Sequence, residues 1–270
     1  MSRKKIPWQW KSFGDHSAPY ITGNGIASHC KYIMNYDGFK INPNGNEGWA
    51  FIKIEYIKRF FKVPDVPSSF VLFTHNGDIS VSNKYSGYLN SERITRWFAE
   101  NADISHDKLI PIPLGLANAG WAHGDPEIVK KVSGENNEKT KMFHAKYDTR
   151  SNAGERNYCS QQTEIHQDLK TMCFEDYLRD LSESYFCISP KGHGIDCHRT
   201  WESLYVKTIP IVTKSLVVEE HKEMPIIILD DWSDFKNIYF NEDLYHKTWE
   251  DFNIEQLYLN KYLKRIWSKI

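Results

Sequence analysis

The stretch Tyr185-Phe-Cys-Ile-Ser-Pro-Lys-Gly-His-Gly-Ile-Asp-Cys-His-Arg-Thr-Trp-Glu-Ser-Leu-Tyr-Val-Lys-Thr-Ile-Pro-Ile-Val212 decides the fold. It reads as an apolar run, a loop broken by Pro190, Gly192 and Gly194, a helical stretch and a second apolar run, which together predict a βαβ unit. The two glycines let backbone approach a ligand closely. Asp196 stands where a helix N-cap is expected, and Trp201, Leu204 or Tyr205, and Thr208 give that helix an inward face. Arg199 and Glu202, three residues apart, are neighbours on its surface. A cation and a carboxylate beside a glycine loop can hold phosphate and ribose, and the helix N-terminus adds N–H groups and partial positive charge for a diphosphate. An ordinary surface ion pair accounts for the same two residues, and both readings stand at this point.

Outward from this unit, short and nearly continuous apolar runs recur at Phe70–Thr74 and at residues 109–113, 142–145, 185–189, 209–213 and 225–229. Such runs suit strands buried on both faces, as in a parallel sheet. Helical spacings lie between them: Phe51, Ile54, Ile57 and Phe61; Ile94, Trp97 and Phe98 within residues 92–101; Phe174, Tyr177, Leu178 and Leu181. Near the end Leu259, Leu263, Ile266 and Ile270 predict an amphipathic helix. Alternating strand and helix predict a doubly wound α/β architecture. The polar second half of the stretch from Gly120 to Thr140 is expected to link two units. The expected domains are residues 1–137 and 138–244, with residues 245–270 as a terminal helix that could pack on either.

Composition sets bounds. Of 270 residues, 40% are apolar and 26% charged, as in a globular protein, and no run reaches the roughly 18 apolar residues of a membrane span. The start, Met1 to Trp8, is basic without the apolar core of a secretory signal, so a soluble cytoplasmic protein is expected. With 34 Lys and Arg against 35 Asp and Glu, the net charge of -1 argues against a protein built to hold a nucleic-acid backbone. Five cysteines without CxxC spacing argue against a zinc ribbon or a disulfide framework. His193, Asp196, Cys197 and His198 fit no standard zinc pattern, and Asp230-Asp231 is a DD pair rather than DxD, so neither motif points to a metal. Gly23-Asn-Gly25-Ile-Ala-Ser28 half matches a dinucleotide fingerprint without its third glycine or a clear preceding strand; a turn shaping a cleft is the modest alternative. No GxSxG elbow is present.

The run from Ser189 to Val212 resembles the nucleotide-sugar-binding segment of exostosin-like glycosyltransferases, on Ser189-Pro190, Gly192, Gly194-Ile-Asp196, Arg199, Trp201-Glu202, Leu204 and Ile209-Pro-Ile-Val212. Three further segments occur in the family's order: FVLFTHNGD from Phe70; LIPIPLGLAN from Leu109, with Trp121, His123 and Gly124; and KMFHAKYDTRSNAGER from Lys141. The likeness spans roughly residues 70 to 235; His193 departs from the smaller or amide residue expected there, and the first 65 residues match nothing in the family.

The resemblance implies a GT-B fold, two Rossmann-like domains facing a cleft, and metal-independent inverting transfer of a sugar from a nucleotide donor to a glycan hydroxyl, with no cofactor beyond that substrate. UDP-sugars are the family's usual donors; UDP-xylose, UDP-glucuronate, UDP-galactose and UDP-N-acetylglucosamine all fit. The size resembles soluble bacterial or large-virus members. Donor-side candidates are Arg150, Arg156, Ser189, Pro190, Lys191, Gly192, His193, Gly194, Asp196, Arg199 and Glu202, with Glu202 on ribose and the arginines near phosphate; solvated surface arginines are the alternative for Arg150 and Arg156. His75, Asn76 and Asp78 follow a predicted strand, where ligands collect in doubly wound folds. Asp78, or else His75, is the expected general base, with Asp37 and Asp125 also open and a backbone-capping turn the alternative. The rival functions are a non-catalytic nucleotide- or carbohydrate-binding module and a nucleotide-sugar hydrolase.

Overall fold

The computed structural model describes residues 17–165 and 171–270, so the basic start from Met1 to Trp8 lies outside the described residues. The first unit comprises α1 (Gly23–Ser28), β1 (Cys30–Asn35), β2 (Gly38–Ile41), β3 (Asn46–Ile52), α2 (Ile57–Phe60), β4 (Phe70–Thr74), α3 (Ser86–Leu89), β5 (Ile94–Ala99) and β6 (Leu109–Pro111). Its six strands order as β2-β1-β3-β4-β5-β6, antiparallel at β1–β2 and parallel elsewhere. The second comprises α4 (Pro126–Gly134), β7 (Lys141–His144), α5 (Ala153–Thr163), α6 (Phe174–Ser182), β8 (Ser184–Ile188), α7 (His198–Tyr205), β9 (Ile209–Thr213), α8 (Leu216–Glu220), β10 (Ile227–Leu229) and α9 (Glu242–Trp249). Its sheet is wholly parallel, in the order β10-β9-β8-β7. The chain ends in α10 (Leu259–Trp267). The protein is therefore α/β, and no described helix is long and apolar enough to cross a membrane.

Strand alternation sorts the core into layers. In β3, Ala50 and Ile52 face the cluster under α2 and α3, whereas Trp49 and Phe51 face α1 and α10. In β8, Cys187 joins the cluster under α4, α6, α7 and α8, while Phe186 and Ile188 join the one formed with α9. The final helix, left unassigned by the sequence, packs on the first sheet: Leu259, Tyr262, Leu263 and Ile266 are buried against Ile33, Phe51, Phe73 and Phe98.

Three sequence readings change. Residues 94–99 are strand β5, not helix. The helical spacing from Phe51 spans the end of β3, a 3-10 turn (Ile54–Tyr56) and the single turn of α2. The stretch from Gly120 to Thr140 holds α4, whose last turn runs into the expected linker; it is capped by Asp125, begins at Pro126 and buries Val129 and Val132 beside Leu178 and Leu181.

The two units are laced together under their shared cleft. Asn101, just past β5 with φ +52°, accepts the N–H groups of Ile195 (2.8 Å) and Asp196 (3.1 Å). Leu114 N–H donates to Asp196 at 2.9 Å, and His198 Nδ1 lies 2.8 Å from the Gly115 carbonyl. The Tyr205 hydroxyl accepts Ile21 N–H (3.1 Å) and donates to the Leu257 carbonyl (2.6 Å).

Candidate functional site

Ligands of parallel α/β sheets collect beyond the carboxyl ends of the strands. Here both sheets turn those ends toward one cleft of about 600 Å3, lined by His75 to Asp78 after β4, Leu114 and Leu116 after β6, Asp148 after β7, and the loop and helix after β8. A larger groove of about 1080 Å3 lies among Trp49, Asn44 and α10, and among the described residues its only Lys or Arg is Lys264. The cleft gathers two guanidiniums and several carboxylates, so the chemistry concentrates there.

Helix α7 supplies the central pair. Arg199 and Glu202 both turn inward and form no ion pair with each other, which removes the surface-pair alternative. Arg199 Nε and Nη1 are buried without a hydrogen-bond partner among the described residues, and the guanidinium lies 5.7 Å from the Tyr147 ring centroid. Buried guanidinium nitrogens without hydrogen-bond partners are costly in the free protein, even with the Glu202 carboxyl near enough to act on the charge, and are expected where an anion binds. Glu202 is 4% exposed, and its Oε2 accepts the Tyr177 hydroxyl at 2.9 Å. Burial pushes its carboxyl up to about 7, against the lowering effects of Tyr177 and Arg199.

The glycine loop is held from below. Arg156 donates from Nε to the Lys191 carbonyl (2.9 Å) and from Nη1 to the Asp148 carbonyl (2.5 Å), while Asn152 donates to the Gly192 carbonyl (3.2 Å). A Cβ on Gly194 would stand 2.6 Å from Asn101 Oδ1, so close approach to the clamp requires glycine there. On the opposite wall, Asn24, Asn76 and Asn118 form a cyclic network: Asn76 Nδ2 to Asn24 Oδ1, Asn24 N–H to Asn118 Oδ1, and Asn118 Nδ2 to Asn76 Oδ1. Gly23 belongs to this wall, where a Cβ would meet Asn76 Oδ1 at 2.0 Å.

Among the residues expected on the donor side, Gly192, His193, Gly194, Asp196, Arg199, Glu202 and Arg156 line the cleft, and the others do not. Arg150, its side chain 89% exposed, pairs with the cleft residue Asp148 without itself lining the cleft. Ser189 is buried and shares a hydrogen bond with Thr200 at 2.9 Å, Pro190 is buried, and Lys191 Nζ reaches the Lys214 carbonyl at 3.1 Å.

Asp196 is not the N-cap. Cys197 holds that position without a side-chain cap, and the Asp196 carboxylate accepts Cys197 N–H, Leu114 N–H and Trp201 Nε1–H. Burial pushes it up to about 6, and the three donors hold it below what burial alone would give.

Asp78 lies exposed on the cleft wall, as a base open to an acceptor must. His75 cannot serve as that base. Its Nε2 donates to the Pro113 carbonyl (3.2 Å), and its Nδ1 accepts Asn76 N–H (2.8 Å) with Glu100 Oε2 at 3.1 Å. Burial lowers the imidazole to about 4 and raises Glu100 well above the ordinary carboxylate range, so the pair keeps its proton on the carboxyl. Glu100 also accepts Gly77 N–H at 2.6 Å, and Asn101 donates to the Gly77 carbonyl at 3.1 Å, fixing the loop that carries Asp78. Glu100, Asn101, Tyr147, Tyr177 and Asn118 are not legible as site residues in the sequence, whereas Asn76 follows the predicted strand and Asn24 lies in the turn read as shaping a cleft. Reading residues 94–99 as a strand would have drawn attention to Glu100 and Asn101 at its carboxyl end.

No protein-family model matches the chain, and no curated protein is significantly similar to it in sequence.

Proposed function

We propose that this chain is an exostosin-like glycosyltransferase of GT-B architecture, moving a sugar from a UDP-sugar to a hydroxyl of a glycan acceptor with inversion. The observation that carries the reading is Arg199, whose buried Nε and Nη1 have no hydrogen-bond partner among the described residues, beside Glu202 in a cleft at the strand ends of two sheets. In this reading Glu202, through the oxygen that Tyr177 leaves open, accepts ribose hydroxyls. Arg199 and the uncommitted Nη2 of Arg156 face the diphosphate. The acceptor oxygen attacks the anomeric carbon as the bond to the diphosphate oxygen breaks. The electron pair of that bond goes to the diphosphate, whose growing charge the guanidiniums stabilise. The acceptor proton passes to Asp78. Asp78→Asn is therefore expected to lower kcat about a hundredfold with UDP affinity unchanged. Equal activity in the variant would remove Asp78 from the reaction.

Calorimetric titration of UDP against the wild type and Glu202→Ala tests the donor site. Affinity is expected to fall roughly tenfold or more in the variant, and wild-type chain that binds no UDP sinks the proposal. The pH dependence follows from the carboxyl raised to about 7. Ribose hydroxyls favour its ionised form, so UDP affinity is expected to rise from about pH 6 to about pH 8 with proton release on binding. In the free chain the sign is opposite: the stability contributed by neutral Glu202 is full below the ordinary carboxylate pKa and is lost as pH rises through about 7. Glu202→Gln should flatten both profiles, and an unchanged affinity profile in that variant would assign the dependence elsewhere.

A further inference from the structure

Three rings turn a corner of the cleft without a place in the scheme above. Trp121, 37% exposed, meets His123 edge to face with centroids 5.8 Å apart, and His123 meets His198 at 5.8 Å with planes 59° apart. Trp121 and His123 come from the loop before α4, and His198 opens α7. His198 stands four residues before Glu202 and next to Arg199, so it shares the helix face expected to hold ribose and lies toward the diphosphate end.

The state of His198 is fixed by its surroundings. A carbonyl only accepts, so Nδ1, 2.8 Å from the Gly115 oxygen, carries the proton, and in the neutral ring Nε2 is a lone-pair acceptor. Nε2 has no hydrogen-bond partner among the described residues, although His198 lines the cleft. Burial lowers this imidazole to about 4, and His123 is lowered by burial as well, so both rings stay neutral near pH 7. Neutral aromatic faces beside a lone-pair acceptor suit a ligand that is apolar on one face and carries hydroxyl donors at its edge. A pyranose has this character.

We infer that Trp121, His123 and His198 form the subsite for the sugar ring of the nucleotide-sugar donor, with a sugar hydroxyl donating to His198 Nε2 and C–H groups lying on the indole and imidazole faces. The inference rests on the transferase reading and adds the part of the site that distinguishes a nucleotide-sugar from its bare nucleotide.

His198→Asn keeps an N–H where Nδ1 donates to Gly115 and removes Nε2; Trp121→Ala removes an exposed ring. Titrations of UDP and of the UDP-sugar that the wild type binds tightest, chosen among UDP-xylose, UDP-glucuronate, UDP-galactose and UDP-N-acetylglucosamine, separate the contributions. Each variant is expected to bind UDP as the wild type does, which also reports an intact fold, and to bind the UDP-sugar roughly tenfold more weakly. UDP and UDP-sugar affinities both unchanged would overturn the subsite alone. A variant in which only the KM for the glycan acceptor rises would overturn the donor assignment, because the rings would then hold the acceptor sugar. Loss of UDP binding in His198→Asn would make His198 part of the nucleotide site instead. Absence of UDP binding by the wild type would overturn the transferase reading and the subsite with it.

Discussion

Arg199→Met is expected to abolish nucleotide-dependent activity and at the same time raise the melting temperature. Arg199 Nε and Nη1 are buried with no partner among the described residues, and Glu202 is tied to Tyr177 rather than to the guanidinium. In the free protein this charge is held at a cost, and a flexible apolar side chain of similar length removes that cost. The expected gain is about 1–3 kcal/mol, or several degrees in Tm. With donor bound, the same nitrogens would meet the diphosphate in charge-assisted bonds that methionine cannot make. The expected loss in kcat/KM is on the order of a thousandfold. Thermal melts and kinetics on one preparation check both signs. A variant that melts lower while keeping its activity would make Arg199 a structural residue.

Asp196→Ala is expected to have the largest effect on stability. This carboxylate is 7% exposed and accepts three N–H groups, from Cys197, Leu114 and Trp201. Truncation leaves all three donors without their partner and cuts one of the bonds between the two units. The expected cost is about 3–5 kcal/mol, a fall in Tm on the order of 10 °C. Asp196→Asn is little better, because one oxygen becomes an N–H group facing a donor. Denaturant unfolding of both variants is the measurement, and a change indistinguishable from zero would mean that the junction does not depend on this carboxylate.

The fold was legible where local pattern and burial agree. FVLFT, the strand before the glycine loop and IPIVT are apolar at all but one position each because both faces of these strands are covered. Residues 94–99 misled because Ile94, Trp97 and Phe98 fall at three- and four-residue spacing, which a helix shares, while exposed Thr95 interrupts the run. β2 was missed because it is a partly exposed antiparallel edge where no continuous apolar signal is needed, and β1 because Lys31 and Tyr32, half-buried, and Asn35 interrupt its apolar run. In the site, Arg199 and Glu202 were readable because three residues of helix place them together. Asn101 against Ile195, or Glu100 against His75, depends on partners 94 and 25 residues away, and nothing local marks such pairs. Asp196 was misassigned for the same reason: position suggests a cap, while Leu114, 82 residues away, makes it a junction.

The placement of α10 on the first sheet bears on how the chain is made. Ile33, Phe51, Phe73 and Phe98 leave the ribosome well ahead of Leu259, Tyr262, Leu263 and Ile266, which cover one flank of the layer they build. At about 5–20 residues per second, that flank waits on the order of ten seconds or more for its cover. The first sheet thus stays open until α10 arrives, and a ribosome stalled before residue 259 holds a nascent chain with an open apolar face, a substrate for holding chaperones rather than a finished layer.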